Sequence, residues 1–345
     1  MIGPSLLMRL RTHLPTTPAA LAATLLALVV VSLLLIRLAD FVVLDASWHG
    51  TAADCRASAG LCWAFLRERG ASFVYGYYPV EERWRLDLLL ALVLLAGLLV
   101  ATLRRHKIAA AAGAFLLPAV GAAFVLGGVL GAPPPSTAQL GGFCLTLLLS
   151  LAAIAMGLPF GLGLALMRES DMPVLRVIAA SWIEWWRGLP TIVVLFFAIA
   201  AFPLLVPPNT EIDKVLRVLA AFTFLTSALF AEAFRAGLRA VGAGQSQAAR
   251  ALSLKPLTTL RLVVLPQALG IAAPNIVNVS IALIKETTLV LVIGLYDLFG
   301  MIQNATVDPR FASESVTLTG YAMAACGYLL LCFGLSSIAR RLEKR

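Results

Sequence analysis

The residues with the most chemical potential are an adjacent base and acid, Lys285 and Glu286, followed by Thr287 inside a long apolar run. An ionised side chain at mid-membrane costs about 3 kcal/mol unless it is paired or wetted, so such residues rarely face lipid. Asn275, Asn278 and Ser280 stand nearer the start of the same run. Asn278 and Lys285 are seven apart and share a helical face, which makes a polar stripe. A zwitterion needs a cation for its carboxylate and an anion for its amine, and Asn278, Lys285, Glu286 and Thr287 supply those groups to a substrate pathway. Alternatively, Lys285 and Glu286 bond neighbouring helices, and the residue types leave both readings open.

Two further charged motifs flank apolar runs. Glu184 and Arg187 precede the run that starts at Leu189, where Gly188 and Pro190 shape the entry. Glu232 lies three residues before Arg235, a spacing that favours an intrahelical ion pair. These are candidate structural or gating residues. Gly157 and Gly161 form a small-xxx-small face suited to close helix packing. Cys55 and Cys62 share one polar segment and form a disulfide if it faces an oxidising compartment; otherwise they are free thiols.

Enzyme signatures are missing. The sequence has no G-x-x-x-x-G-K-[ST] phosphate loop, so the chain is not expected to hydrolyse ATP itself. His13, His49 and His106 sit in three separate polar segments without metal-ligand spacing. There is no nucleophile elbow and no H-E-x-x-H motif. A non-catalytic protein without catalytic or metal residues is expected.

The elements that must hold these residues follow from composition. Hydrophobic residues make up 60% of the 345 positions and charged residues only 13%, too apolar for a soluble globule. A helix crosses the roughly 30 Å hydrocarbon core with about 20 apolar residues. Runs near 19–38, 86–103, 108–130, 140–167, 188–206, 215–235, 274–295 and 317–338 qualify. The expected fold is therefore an all-α polytopic membrane protein of about eight transmembrane helices. Arg37 and Asp40 follow the first run where a signal peptidase would need small residues, so it is expected to stay uncleaved.

The net charge of +9 resides in short basic clusters between apolar runs, a topology signal rather than a nucleic-acid footprint. With eight spans, the N-terminus, 104–107, 168–187, 235–267 and the C-terminal Arg340, Arg341, Lys344 and Arg345 fall on one side. The positive-inside rule makes that side cytosolic, with both termini inside. The aromatic-rich segment 40–85 then lies outside, covering the bundle or receiving an extracytoplasmic partner. Three consecutive prolines at Pro133–Pro135 mark a seam between an N-terminal extension, 1–135, and a core, 136–345.

One cytosolic loop, 236–267, carries no acidic residue, and Gln247-Ala-Ala-Arg-Ala-Leu reads as a short helix of small residues. Gly244 sits at its entry, and Lys255-Pro256 begins a second helical piece. From physics alone this is either a docking helix or an amphipathic helix on the bilayer surface. The run Gly244-Gln-Ser-Gln-Ala-Ala-Arg-Ala-Leu-Ser-Leu, followed by Val263-Val-Leu-Pro-Gln-Ala, resembles the EAA loop of binding-protein-dependent ABC import permeases of the polar amino-acid family. Glu184-Trp-Trp-Arg-Gly-Leu-Pro, Glu232-Ala-Phe-Arg-Ala-Gly and Lys285-Glu-Thr-Thr-Leu match as well. The three extra helices and Tyr75-Gly-Tyr-Tyr-Pro resemble the M-type subunit of the general L-amino-acid permease.

The resemblance implies a permease that moves L-amino acids across the bacterial inner membrane. It also implies a second permease subunit in a heterodimer, two ATP-binding subunits that hold ATP and Mg, and a periplasmic amino-acid-binding protein. Gly244, Gln245, Gln247, Ala248, Ala249, Arg250, Ser253, Leu265 and Pro266 would couple the chain to the ATPase. Gln247 and Ser253 depart from the motif's glutamate and glycine. A secondary transporter or channel using Lys285 and Glu286 as a charge relay is the alternative.

Overall fold

In a computed structural model, residues 17–102, 107–127, 136–207 and 212–343 are described. Arg9, Arg11, His13, the 104–107 turn up to His106, the triple proline and Lys344 to Arg345 lie outside them. Among the described residues the chain is helical and forms no strand. It makes two compact units: Met1–Glu68 with Thr306–Gly320, and Arg69–Ala305 with Tyr321–Arg345.

In the first unit, α1 (Pro18–Ala39) starts behind Thr17, whose hydroxyl accepts from the Ala20 amide, and none of its residues is buried. An apolar helix exposed all round is what lipid contact requires. The short α2 (Ala52–Ala57) opens with a capping box in which Thr51 and Asp54 satisfy each other's amides. That hydrogen bonding holds the Asp54 carboxyl below its ordinary value. Cys55 and Cys62 are joined as a disulfide with Cα atoms 5.4 Å apart. The Thr319 hydroxyl accepts from the Cys62 amide at 2.8 Å, and the Ser315 hydroxyl donates to the Cys55 carbonyl at 2.6 Å. Trp48 and Trp63 stack at 5.4 Å, and their indole N–H groups donate to the adjacent carbonyls of Val43 and Val42.

The rest of the chain continues through α3 (Trp63–Tyr75), α4 (Arg83–Thr102), α5 (Lys107–Leu126), α6 (Gly142–Arg168), α7 (Pro173–Gly188), α8 (Thr191–Phe196) and α9 (Lys214–Ala240). It then runs through α10 (Gly242–Ala251), α11 (Pro256–Thr259), α12 (Leu265–Glu286), α13 (Leu298–Thr306) and α14 (Glu314–Glu343). The second unit is built on α6, α9 and α12. Glycines set the spacing of α6 and α9: a Cβ on Gly157 would sit 2.6 Å from Thr226 Oγ1, and one on Gly161 2.7 Å from Phe230 Cβ. Gly237 does the same for α9 and α12, where a Cβ would meet the Ala268 carbonyl. Absence of side chains lets the backbones approach closely, which drives helix association where lipid removes the hydrophobic force.

α4 joins this core through Leu86 and Leu89, both fully buried. The buried Arg85 bonds Glu82 at 2.8 Å and reaches the Gly127 carbonyl just beyond α5 at 3.4 Å, where a cation favours the helix dipole. Tyr75 donates to Asp87 at 2.6 Å, which pushes the phenol up to about 12.

Among the described residues, five helical stretches are long and apolar enough to cross a bilayer: Pro18–Leu44, Gly142–Arg168, Lys214–Ala240, Pro256–Ile293 and Glu314–Ser337. A sixth is counted if the pair Pro173–Gly188 and Thr191–Leu205, bent by 100°, forms one span. The bend falls at 189–190, at the start of the span expected over 188–206, whose helical stretch begins at Thr191. Leu189 precedes a proline and is extended (φ −98°, ψ 132°), because the proline ring disfavours helix at the residue before it. The span expected over 274–295 is also longer. Helix runs from Pro256 through a π-turn into α12, so Leu265 and Pro266 are helical rather than loop.

Candidate functional site

The candidate coupling residues gather on α10, which follows α9 after the single residue Val241. Gly244, Gln245, Gln247, Ala248 and Arg250 are exposed, and only Ala249 is buried, at 4%. The helix ends in a Schellman arrangement: the Leu254 amide reaches the Ala249 carbonyl at 3.1 Å, and the Ser253 amide the Arg250 carbonyl at 2.8 Å. The left-handed position in such an end normally belongs to glycine. Here Ser253 occupies it at φ 58°, at a cost of about 1–2 kcal/mol. Gln267 of α12 donates to Gln245 at 3.4 Å. Beside the helix, Leu252 and Leu257 are each 76% exposed, between Arg250, Lys255 and Arg261. Small side chains, exposed leucines and basic charge thus share one accessible surface.

The candidate pathway residues divide. Asn275, Asn278 and Lys285 are exposed along one face of α12, whereas Glu286 turns toward the bundle and accepts from the Thr191 hydroxyl at 3.0 Å. Consecutive helical residues point about 100° apart, and Lys285 is not among the residues that line the space Glu286 faces. The cation that shares a space with Glu286 is Arg187: both line a cavity of about 170 Å³, with Trp186, Leu225, Val279 and Leu283 as apolar walls.

α7 carries Arg187 there. Ala179 and Ile183 are fully buried against Leu164 and Ala231, and Trp182 donates to the Ser227 hydroxyl at 3.2 Å. Trp182 and Trp186 pack around Phe224. The break at Gly188, Leu189 and Pro190 then turns Thr191 back toward Glu286. Glu232 bonds Arg235, the intrahelical pair that its spacing predicts, and also lies 3.8 Å from Arg187. Glu184 is exposed and takes Arg168 at 3.0 Å.

Thr287 is buried, and its hydroxyl sits 3.5 Å from Asp297. Sequence reasoning missed Asp297. Its fully buried carboxylate accepts from Tyr328 at 2.7 Å and from the Gly300 amide at 2.9 Å, and lies 3.5 Å from Thr146. The available signal was its place just before α13, where aspartate caps a helix.

A multi-span helical bundle with an exposed connecting helix at one end and a small, oppositely charged cavity inside defines a membrane transport subunit. Residues 157–345 match the model of the binding-protein-dependent transport system inner membrane component, and the chain belongs to this family. It is 42% identical to the inner membrane amino-acid ABC transporter permease protein YhdY of Escherichia coli, over 89% of this chain and 84% of that one. It is 30% identical to the glutamate/glutamine/aspartate/asparagine transport system permease protein BztC of Rhodobacter capsulatus, over 97% of this chain and 92% of that one. A crystal structure of an amino acid ABC transporter with histidines superposes with a TM-score of 0.52 at 30% identity, covering 59% of this chain and 92% of that one. The chain is thus a permease of an ABC importer, and nothing favours a free-standing charge relay.

Proposed function

We propose that the cavity between Arg187 and Glu286 holds an L-amino acid on its way across the bacterial inner membrane. Arg187 faces the α-carboxylate and Glu286 the α-ammonium, with the apolar walls left for the side chain. The cavity with both signs of charge is the observation that carries this reading: a zwitterion neutralises both ends at once, and an ion of one sign cannot. Names of relatives that transport amino acids point the same way.

The bent pair and the two 20-residue helices α4 and α5, added to the five long stretches, make eight crossings with both termini in the cytosol. α10 then docks in the cytosol on one of two separate ATP-binding subunits, which hold ATP and Mg. The α12 face bearing Asn278 and Lys285 closes against a second permease. Bare in lipid, that lysine alone would cost about 3 kcal/mol. The segment 40–85, which carries the disulfide, faces the periplasm, where oxidation is sustained and from which a binding protein delivers substrate.

The test is ATP-driven uptake of a panel of labelled L-amino acids by the complete transporter in proteoliposomes. Arg187→Ala and Glu286→Gln are expected to lower uptake at least tenfold. Unchanged uptake in both variants removes the cavity from the route.

A further inference from the structure

The cavity's arginine is the first member of a row of charges that no single helix contains. Arg187 at the end of α7 lies 3.8 Å from Glu232 of α9; Glu232 bonds Arg235; Arg235 lies 3.1 Å from Glu169; and Glu169 takes Arg239 at 2.8 Å. The Arg235 Nε is near enough to Glu169 for attraction but is not aligned for a hydrogen bond.

Glu169 closes the C-terminus of α6 through its amide to Ala165. An acid is disfavoured at that end of a helix dipole, so it depends on the two arginines. The row alternates base, acid, base, acid, base, and so carries three cations against two anions. The unmatched valence is at its two ends. One is Arg187, which faces the cavity, and the other is Arg239, one residue before the end of α9. From there the chain passes through Val241 directly into α10.

We propose that Glu232, Arg235 and Glu169 are positioning residues that link the cavity to the coupling helix. A carboxylate arriving at Arg187 completes the alternation at the cavity end and favours the arrangement in which α6, α7 and α9 are tied together. The position of α9, and of the α10 that it feeds, then depends on whether the cavity is filled. A ligand shifts an equilibrium only by binding one arrangement better than another, and the completed row supplies that difference. The same coupling must run backwards: α10 held by a nucleotide-bound partner changes affinity at Arg187. The inference rests on the cavity being the substrate site.

The experiment uses the complete transporter in lipid nanodiscs, with a radiolabelled mixture of common L-amino acids as probe. It reads equilibrium retention of the probe without ATP, and ATP hydrolysis with and without amino-acid-loaded binding protein. Glu169→Gln is expected to keep retention within twofold of wild type while the stimulated part of hydrolysis falls at least fivefold. Glu169→Asp, which keeps an acid between Arg235 and Arg239, is expected to retain at least half of that stimulation, which the loss of charge in Glu169→Gln does not allow.

Stimulation within twofold of wild type in both Glu169→Gln and Glu232→Gln overturns the proposal, as does a Glu169→Asp variant that retains no more than Glu169→Gln. Arg187→Ala is expected to lose retention at least tenfold. Full retention in that variant defeats the cavity assignment instead, and the relay with it.

Discussion

Ser253 shows how one residue can carry a local strain that the fold tolerates. Its left-handed φ of 58° closes the helix that presents the coupling surface, and its amide and that of Leu254 satisfy the helix end. Glycine would keep both bonds without the clash between Cβ and carbonyl. Ser253→Gly is therefore expected to stabilise this end by about 1 kcal/mol, which slows hydrogen exchange of the amides from Ala249 to Leu254 roughly fivefold. Exchange that is unchanged or faster would show that the strain is relieved elsewhere. At this scale the sequence was legible only in part. The departure from glycine was visible at Ser253, but whether the turn is left-handed depends on the two bonds that close it. Asp297 gave almost no signal, because its partners Thr146 and Tyr328 come from distant helices.

At the scale of elements, glycine placement decides how closely α6 and α9 pack. A methyl group on Gly161 would meet Phe230 Cβ at 2.7 Å, the Ser227 carbonyl at 2.8 Å and the Ala231 amide at 3.0 Å. Two of these atoms are backbone and cannot rotate away. Gly161→Ala is expected to destabilise the bundle by about 1–3 kcal/mol, read as an earlier midpoint of denaturant unfolding in detergent micelles. Gly163, two residues on, has nothing within 4 Å, so Gly163→Ala is the control that should leave the midpoint almost unchanged. The small-xxx-small pattern announced this contact from spacing alone. The break before α8 was only half legible: Gly188 and Pro190 marked an entry, but not a 100° bend. Its angle is fixed by the tryptophans of α7 seated against α9.

For the whole molecule, the exposed polar face of α12 is unfinished in a single chain. Asn275, Asn278 and Lys285 are all accessible, and hydrocarbon offers them no hydrogen bonds. A second permease covering this face would place its own helix within reach of Asn278. With Cys144, Cys326 and Cys332 replaced, Asn278→Cys is expected to cross-link to the partner permease through a short bifunctional maleimide, giving a band of summed mass on a denaturing gel. A cysteine in place of Leu34 on α1, 63% exposed, should label without that band. Lipid-only labelling at both positions would leave the face to the bilayer.

Composition and spacing by themselves determined the helical membrane class, a short helix at Gln247-Ala-Ala-Arg-Ala-Leu and the close packing at Gly157 and Gly161. These are local properties: apolar run length, small-residue content and the helical repeat are read along one segment at a time. Tertiary structure alone decided which charges meet. It left Lys285 exposed and Glu286 toward the bundle, and brought Arg187 and Glu286 to line one cavity across a proline break. It also strung Arg187, Glu232, Arg235, Glu169 and Arg239 across three helix ends. An ion pair between distant segments depends on how helices pack, and that packing is set by the glycines, tryptophans and prolines around it rather than by the charged residues themselves.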